Sequence, residues 1–136
     1  MMFTFAVSQR LLLFSLLFTM AACRPSGDPG PADVLRDVES YMDARPDSAL
    51  AVLRAIPKEE LHSRKHVAKA ALLHSMALEK SSIYLRTDSI ISPAVSYYSK
   101  HGSPDEKLKT YYYQGRIFQN AREYEKTAYS FGLAEE

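Results

Sequence analysis

Three histidines lie at helical spacing in the middle of the chain and are the first candidates for a metal site. His62 and His66 are four residues apart, and His74 lies two turns further, so one helix face could present their imidazoles together. A zinc hydrolase motif requires an acidic residue between the two histidines, and none lies between His62 and His66. Arg64, Lys65 and Lys69 also surround the pair with positive charge. We therefore interpret them as surface or packing residues and predict no metal site.

Nucleophilic catalysis finds no better support. No serine lies in a G-x-S-x-G or S-x-x-K arrangement with supporting motifs, and the five glycines form no phosphate-binding loop. Cys23 is the single cysteine, so no internal disulfide can form. We predict a protein that is not an enzyme and that requires no cofactor.

A run of three tyrosines, Tyr111 to Tyr113, raises the possibility of a stacking site for nucleic acid or sugar. Successive side chains of a helix point about 100° apart, so the three rings cannot form one platform. We expect Tyr111 in the core, Tyr113 near a neighbouring helix and Tyr112 on the open side.

Tyr112 belongs to a polar stripe that recurs at steps of three or four residues along one helix. The stripe consists of Lys109, Tyr112, Arg116 and Asn120. We interpret the stripe as a candidate surface for contacts with a partner. The alternative interpretation is an ordinary solvated helix face.

The charge balance argues against nucleic acid as the partner. The chain has 17 Lys and Arg against 16 Asp and Glu, and Arg10 is the only charged residue within positions 1–22. A chain without those positions would be neutral and would lack the basic surface that attracts phosphate backbones.

The N-terminal segment has the layout of a secretory signal. Arg10 precedes the apolar run from Leu11 to Phe18, and the small residues Ala21 and Ala22 follow. The uncharged stretch from Leu11 to Cys23 is shorter than the roughly 20 residues of a spanning helix. We predict an export signal, with a permanent N-terminal anchor as the alternative.

The tetrad Met20-Ala21-Ala22-Cys23 resembles the bacterial lipobox, in which a cysteine is lipidated and becomes the new N-terminus. The resemblance implies a signal peptide over residues 1–22, a covalent lipid on Cys23 and a flexible tether over residues 23–31, which is rich in Pro and Gly. Arg24 is not the aspartate that retains lipoproteins in the inner membrane of some bacteria, and "RPSGDPG" lacks the acidic cluster linked to surface display. The implied location is the outer membrane, facing the periplasm.

The rest of the chain, residues 32–136, shows helical periodicity and no signals for strands or β-hairpins. Apolar residues mark six helices: 34–42, 49–56, 61–84, 90–98, 108–118 and 124–134. Between the fourth and fifth helices, Gly102 suits the left-handed backbone conformation that often ends a helix. Ser103 and Glu106 can then form a capping box for the fifth helix, with Pro104 in its first turn. Short links predict three antiparallel hairpins in an all-α domain.

The last hairpin, "YYYQGRIFQNAREYEKTAYSFGLAEE", resembles a tetratricopeptide repeat (TPR). The residues at the motif's characteristic positions are Tyr111, Gly115, Phe118, Tyr124, Phe131 and Ala134. We expect Gly115 to lie at a helix–helix contact with no room for a side chain. Taking Ala49, Ala94 and Thr127 as equivalent small positions, the second interval is 33 residues, close to the motif's period of about 34, whereas the first is 45. The resemblance implies a right-handed solenoid of three hairpins with an expanded second unit, whose groove would be lined by the polar stripe.

Lipobox, loose first hairpin and clear last repeat together resemble the TPR lipoproteins and membrane regulators of Bacteroides-like bacteria. The resemblance implies a lipid-anchored scaffold in the cell envelope that binds a protein or peptide. Two alternatives stay open: the N-terminal sensory or assembly portion of a larger membrane-associated regulator, and a glycan- or nutrient-binding lipoprotein.

The sixth helix carries more apolar surface than one hairpin partner can cover. Tyr124, Ala128, Phe131 and Leu133 lie on it. Because solenoid units bury their apolar faces against neighbours, we expect an exposed strip there and self-association or partner docking through it.

Overall fold

The structure, a computed structural model, describes residues 27–136, and within this range the chain is all helical with no strand. The predicted all-α class and the six predicted helices are confirmed, while the predicted signal peptide and Cys23 lie outside the described residues. A short 3₁₀ helix, Lys58–Glu60, joins the second helix to the third. The helices are α1 (Pro31–Tyr41), α2 (Pro46–Ala55), α3 (Arg64–Lys80), α4 (Ser92–His101), α5 (Pro104–Asn120) and α6 (Tyr124–Glu135).

Local sequence signals set most helix beginnings. Proline occupies the first turn of α1, α2, α4 and α5, where its missing N–H leaves no bond unmade. The predicted capping box is present: Ser103 Oγ accepts from the Glu106 N–H at 3.2 Å, and the Ser103 N–H donates to Glu106 Oε2 at 2.9 Å. These caps fix where α5 begins after α4.

Helix α3 is shorter than the predicted 61–84. It begins after Ser63, whose hydroxyl accepts from the His66 N–H at 3.1 Å, so Leu61 and His62 precede the helix. It ends where Ser82 adopts a φ of 60° and the Ile83 N–H donates to the Leu78 carbonyl at 2.9 Å. This pair of features is the Schellman ending, which apolar periodicity alone does not reveal.

Gly102 does end a helix, but the predicted left-handed conformation is wrong. Gly102 ends α4 with φ −75° and ψ 146°, an extended rather than a left-handed conformation. A Cβ there would lie 2.7 Å from the Tyr98 carbonyl oxygen, so the position requires glycine because a side chain would clash with the last turn of α4.

The helices pack in a regular succession. Each of α1, α3 and α5 contacts the helix that follows it; α1 also contacts α3, α3 contacts α5, and α2 and α4 each contact the next odd-numbered helix. The core lies along these contacts, and its largest fully buried apolar side chains are Leu35, Val38, Met42, Leu72, Leu73, Ile91 and Tyr98.

Helix α6 joins this succession through α5. Gly115 of α5 is buried, and a Cβ at this position would lie 2.5 Å from Phe131 Cδ1. The prediction that Gly115 lies at a helix contact with no room for a side chain is therefore confirmed. Within residues 27–136 the connected core lies between Leu35 and Ile117, so the fragment 24–136 contains every element of that core.

Candidate binding face

The odd-numbered helices α1, α3 and α5 share a face that carries most of the ion pairs between helices. Lys69 Nζ of α3 lies 2.6 Å from Glu39 Oε2 of α1, and Lys109 Nζ of α5 lies 4.0 Å from Glu39 Oε1. Lys109 also pairs with Asp105, one turn earlier, at 2.7 Å; this hydrogen bond raises the pKa of Lys109. Glu39 thus links three helices.

Glu79 of α3 forms the second link across this face. Arg116 of α5 donates to Glu79 Oε1 from Nε at 2.9 Å and from Nη2 at 2.6 Å, and Asn120 Nδ2 donates to Glu79 Oε2 at 3.4 Å. The remaining Arg116 donor Nη1 contacts Gln119 Oε1 at 2.6 Å. The side chain of Glu79 is only 16% exposed, and its hydrogen bond raises the pKa of Arg116. The Glu79 pairs fix the register of α5 on α3.

A third pair closes the end of the face. Lys80 Nζ lies 2.8 Å from Asp43 Oδ1, just after α1. The hydrogen bond and charge of Lys80 lower the pKa of Asp43, and the same hydrogen bond raises the pKa of Lys80. Asp43 is strongly exposed, so the pair adds little stability in water.

The predicted stripe lies partly inside this network. Lys109, Arg116 and Asn120 reach α1 or α3, as described, so their polar groups already have partners within the fold. Tyr112 is 46% exposed, and its ring stacks on Phe131 with centroids 5.9 Å apart and planes at 30°. The structure thus leaves Tyr112 as the most available member of the stripe, whose binding role stays a prediction.

Of the other two tyrosines of the run, Tyr113 lies where it was predicted and Tyr111 does not. Tyr113 is half-buried next to Lys80, near the neighbouring helix as expected, and burial raises its pKa. Tyr111 is only half-buried, because it lines an open depression beside Leu108 and Leu133 instead of the core. The buried position next to it belongs to Thr110.

The sequence did not reveal a depression of about 310 Å³ on the same face. Glu39, Lys65, His66, Lys69 and Glu106 line it, and Tyr98 of α4 forms part of its wall. The Tyr98 hydroxyl is buried and has no hydrogen-bond partner within residues 27–136; burial raises its pKa. Because this oxygen has no accessible surface, a bound group could use it as a donor only after the surrounding side chains move. No short motif marks it, because four helices supply its walls.

The three histidines are not brought together as one helix face. His62 precedes α3, whereas His66 and His74 lie on it. Burial, with a smaller effect from Arg54, lowers the pKa of His74. Nowhere in the described part of the chain do three or more His, Cys, Asp or Glu side chains group as metal ligands.

Comparisons with protein-family models, with curated proteins and with solved structures find no match to this chain. None of the helices between residues 27 and 136 is both long enough and apolar enough to cross a membrane.

Proposed function

We propose that the chain is a lipid-anchored cell-envelope protein in which three helical hairpins form a short tetratricopeptide-like array that binds a protein or peptide. The anchor is the lipid on Cys23, and the tether allows the array to face the periplasm. The observation that carries the proposal is the succession of contacts from α1 to α3 to α5, because stacked hairpins would bring the first helix of each into contact with the first helix of the next.

Three further features support a repeating unit. Ser82 and Arg122 both adopt left-handed φ values, 60° and 62°, directly after α3 and α5, so the two helices end in the same way. The small residues taken as equivalent, Ala49, Ala94 and Thr127, are all buried in the second helix of their hairpins. Gly115 and Phe131 make the close contact that the motif's Gly and aromatic positions imply.

The binding face offers limited but specific chemistry. Tyr112 supplies an exposed ring, and Lys65 and Glu106 supply charges of both signs to the Tyr98 depression. A peptide carries both donors and acceptors along its backbone, so it suits a face of mixed charge better than a strongly anionic ligand does.

We expect Tyr98→Phe to leave the free energy of unfolding unchanged or to raise it by up to about 1 kcal/mol, because the substitution removes a buried hydroxyl that the fold does not use. Urea denaturation measures this, with Tyr97→Phe as the control at the adjacent half-buried ring. A loss of more than about 1 kcal/mol would mean that the hydroxyl is part of the fold and not reserved for a ligand.

The exposed apolar strip expected on α6 is present in part. The last hairpin, α5 with α6, exposes positions whose equivalents in the second hairpin, α3 with α4, are buried. Leu108 and Ala68 occupy equivalent positions, because each lies equally far before the left-handed residue that follows its helix, Arg122 and Ser82 respectively. Leu108 is 50% exposed, whereas Ala68 is fully buried. Tyr124 is 69% exposed, whereas Ile91, equally far before Ala94 as Tyr124 is before Thr127, is fully buried. These positions favour packing of a second copy against α5 and α6.

We expect the fragment 24–136 to self-associate at tens of micromolar and Leu108→Glu to shift it to monomer, because a buried charge opposes association. Analytical ultracentrifugation measures the shift, and Ala51→Glu on the exposed side of α2 is the matched control. Phe131 is unsuitable as the probe since it packs against Gly115. A wild-type fragment that stays monomeric would contradict the interface.

A further inference from the structure

A second and larger depression lies on the other side of α3. It has a volume of about 620 Å³, within the range of about 300–1,000 Å³ that is usual for small-molecule sites. Leu53 of α2, Ile56 directly after α2, Ala70 of α3 and Ile90 before α4 supply apolar walls. The walls belong to different elements, so the depression is a feature of how α2, α3 and α4 pack.

An adjoining depression of about 550 Å³ extends this one along α3 and α4. The two share Leu61, Val67 and Pro93 as common walls, and Tyr97 adds a further ring. Together they form one elongated trough, with mainly apolar walls in its first part and mixed polar and apolar walls in its second, which we call the α2–α4 trough.

The charged residues of the trough are all basic. Arg54 and Lys58 line its first part, and Arg64 and Lys100 line its second; none of these residues forms an ion pair within residues 27–136. No acidic residue is among the lining side chains of either part. The acids closest in sequence, Glu59, Glu60 and Asp88, lie outside both.

The contrast with the binding face is informative. There Lys69, Lys80, Lys109 and Arg116 each pair with a carboxylate of the same chain. Residues 23–136 contain equal numbers of acidic and basic side chains, so chance alone would place acids in the trough as well. A partly apolar trough whose charged lining is exclusively cationic is complementary to an apolar molecule with an anionic head.

We propose that the α2–α4 trough binds a single-chain anionic amphiphile, a fatty acid or a lysophospholipid. The alkyl chain lies against Ile56, Leu61 and Val67, and the carboxylate or phosphate lies between Arg54 and Lys58. A concave trough of this volume favours a single bound molecule over the flat surface of a bilayer. The site is independent of the peptide-binding face and of the anchor at Cys23.

Displacement of a dansylated fatty acid from the fragment 24–136, below the micellar concentration, tests the proposal. We expect saturable binding, displacement by dodecanoate or lyso-phosphatidylglycerol, and at least about tenfold weaker displacement by dodecanol or dodecyltrimethylammonium, which lack the anionic head. Equal displacement by dodecanoate, dodecanol and dodecyltrimethylammonium would show nonspecific apolar binding and overturn the proposal.

Variants separate the trough from the rest of the surface. We expect Arg54→Gln/Lys58→Gln to weaken fatty-acid binding by about tenfold or more and Ala70→Trp to abolish it by filling the trough, with circular dichroism verifying the fold. Arg36→Gln/Lys126→Gln, which removes the same charge from exposed sites, should bind like the wild type. Wild-type affinity in the Arg54/Lys58 double variant would contradict the site. Binding to anionic vesicles without binding of monomeric dodecanoate would also contradict it and indicate a membrane-contact surface.

Discussion

Replacing Gly115 by leucine is expected to lower the free energy of unfolding of the fragment 24–136 by about 1–3 kcal/mol, because the new side chain enters space that Phe131 already fills. The clash starts at the Cβ itself, which would lie 2.5 Å from Phe131 Cδ1. The leucine cannot avoid it by choosing another rotamer, so either the Phe131 ring leaves its position or α5 and α6 separate. Urea denaturation followed by circular dichroism measures the loss.

Gly132→Leu is the matched control for this experiment. Gly132 lies on α6 with nothing within 4 Å of its hypothetical Cβ, so the same chemical change meets open space. Leucine has the better helix propensity, so this variant should be as stable as the wild type or more stable by up to about 1 kcal/mol. An equal loss in both variants would trace the effect to the helix backbone and not to the Gly115–Phe131 contact.

Replacing Cys23 by serine is expected to abolish lipid attachment completely and to leave an uncleaved precursor. The Cys23 sulfur is the atom that would carry the lipid. Serine has no sulfur and does not replace cysteine in the lipobox that this segment resembles. Metabolic labelling with an alkyne fatty acid, followed by detergent phase partitioning, measures the outcome. The wild type should carry the label and enter the detergent phase.

The double variant Cys23→Ser/Ser26→Cys keeps one cysteine but moves it three residues away from Ala21 and Ala22. It should remain unlabelled, because the predicted processing depends on the small residues directly before the cysteine. Labelling of this variant would mean that any cysteine near the N-terminus is acylated. Wild-type protein found wholly in the aqueous phase would contradict the anchor.

The parts of the fold that the sequence predicts well rest on interactions between near neighbours. The Ser103–Glu106 capping box spans three residues, and apolar periodicity identifies six helices. Gly115 was also predicted to lie at a contact, because its place in the repeat pattern implies a partner of fixed spacing, and Phe131 is that partner.

Competing local interactions explain the errors in the same predictions. Periodicity continues through Leu61 and His62, but Ser63 caps α3 and excludes both residues from the helix. At the other end, Ser82 takes a left-handed conformation that glycine usually adopts, so composition gave no signal. For Gly102 the residue type was informative, yet its cause is a contact with Tyr98 and not its φ.

The binding surfaces were the least predictable part, since they depend on residues distant in the chain. The stripe on α5 was identified from spacing, but its Arg116 pairs with Glu79, 37 residues earlier. The Tyr98 depression and the α2–α4 trough each take their walls from several helices. No periodic pattern records such walls, because each helix contributes only a few residues to them.

Photo-crosslinking from Tyr112 in intact envelopes tests the central claim, a lipid-anchored array that binds a protein partner, most directly. Benzoylphenylalanine at this position is tolerated because Tyr112 is 46% exposed, and the same residue at Tyr129, which is 70% exposed on α6, is the control. The account predicts one discrete protein adduct from position 112, none of that mass from position 129, and loss of the adduct in the Cys23→Ser background. Identical adducts from both positions, or none from position 112, would contradict it.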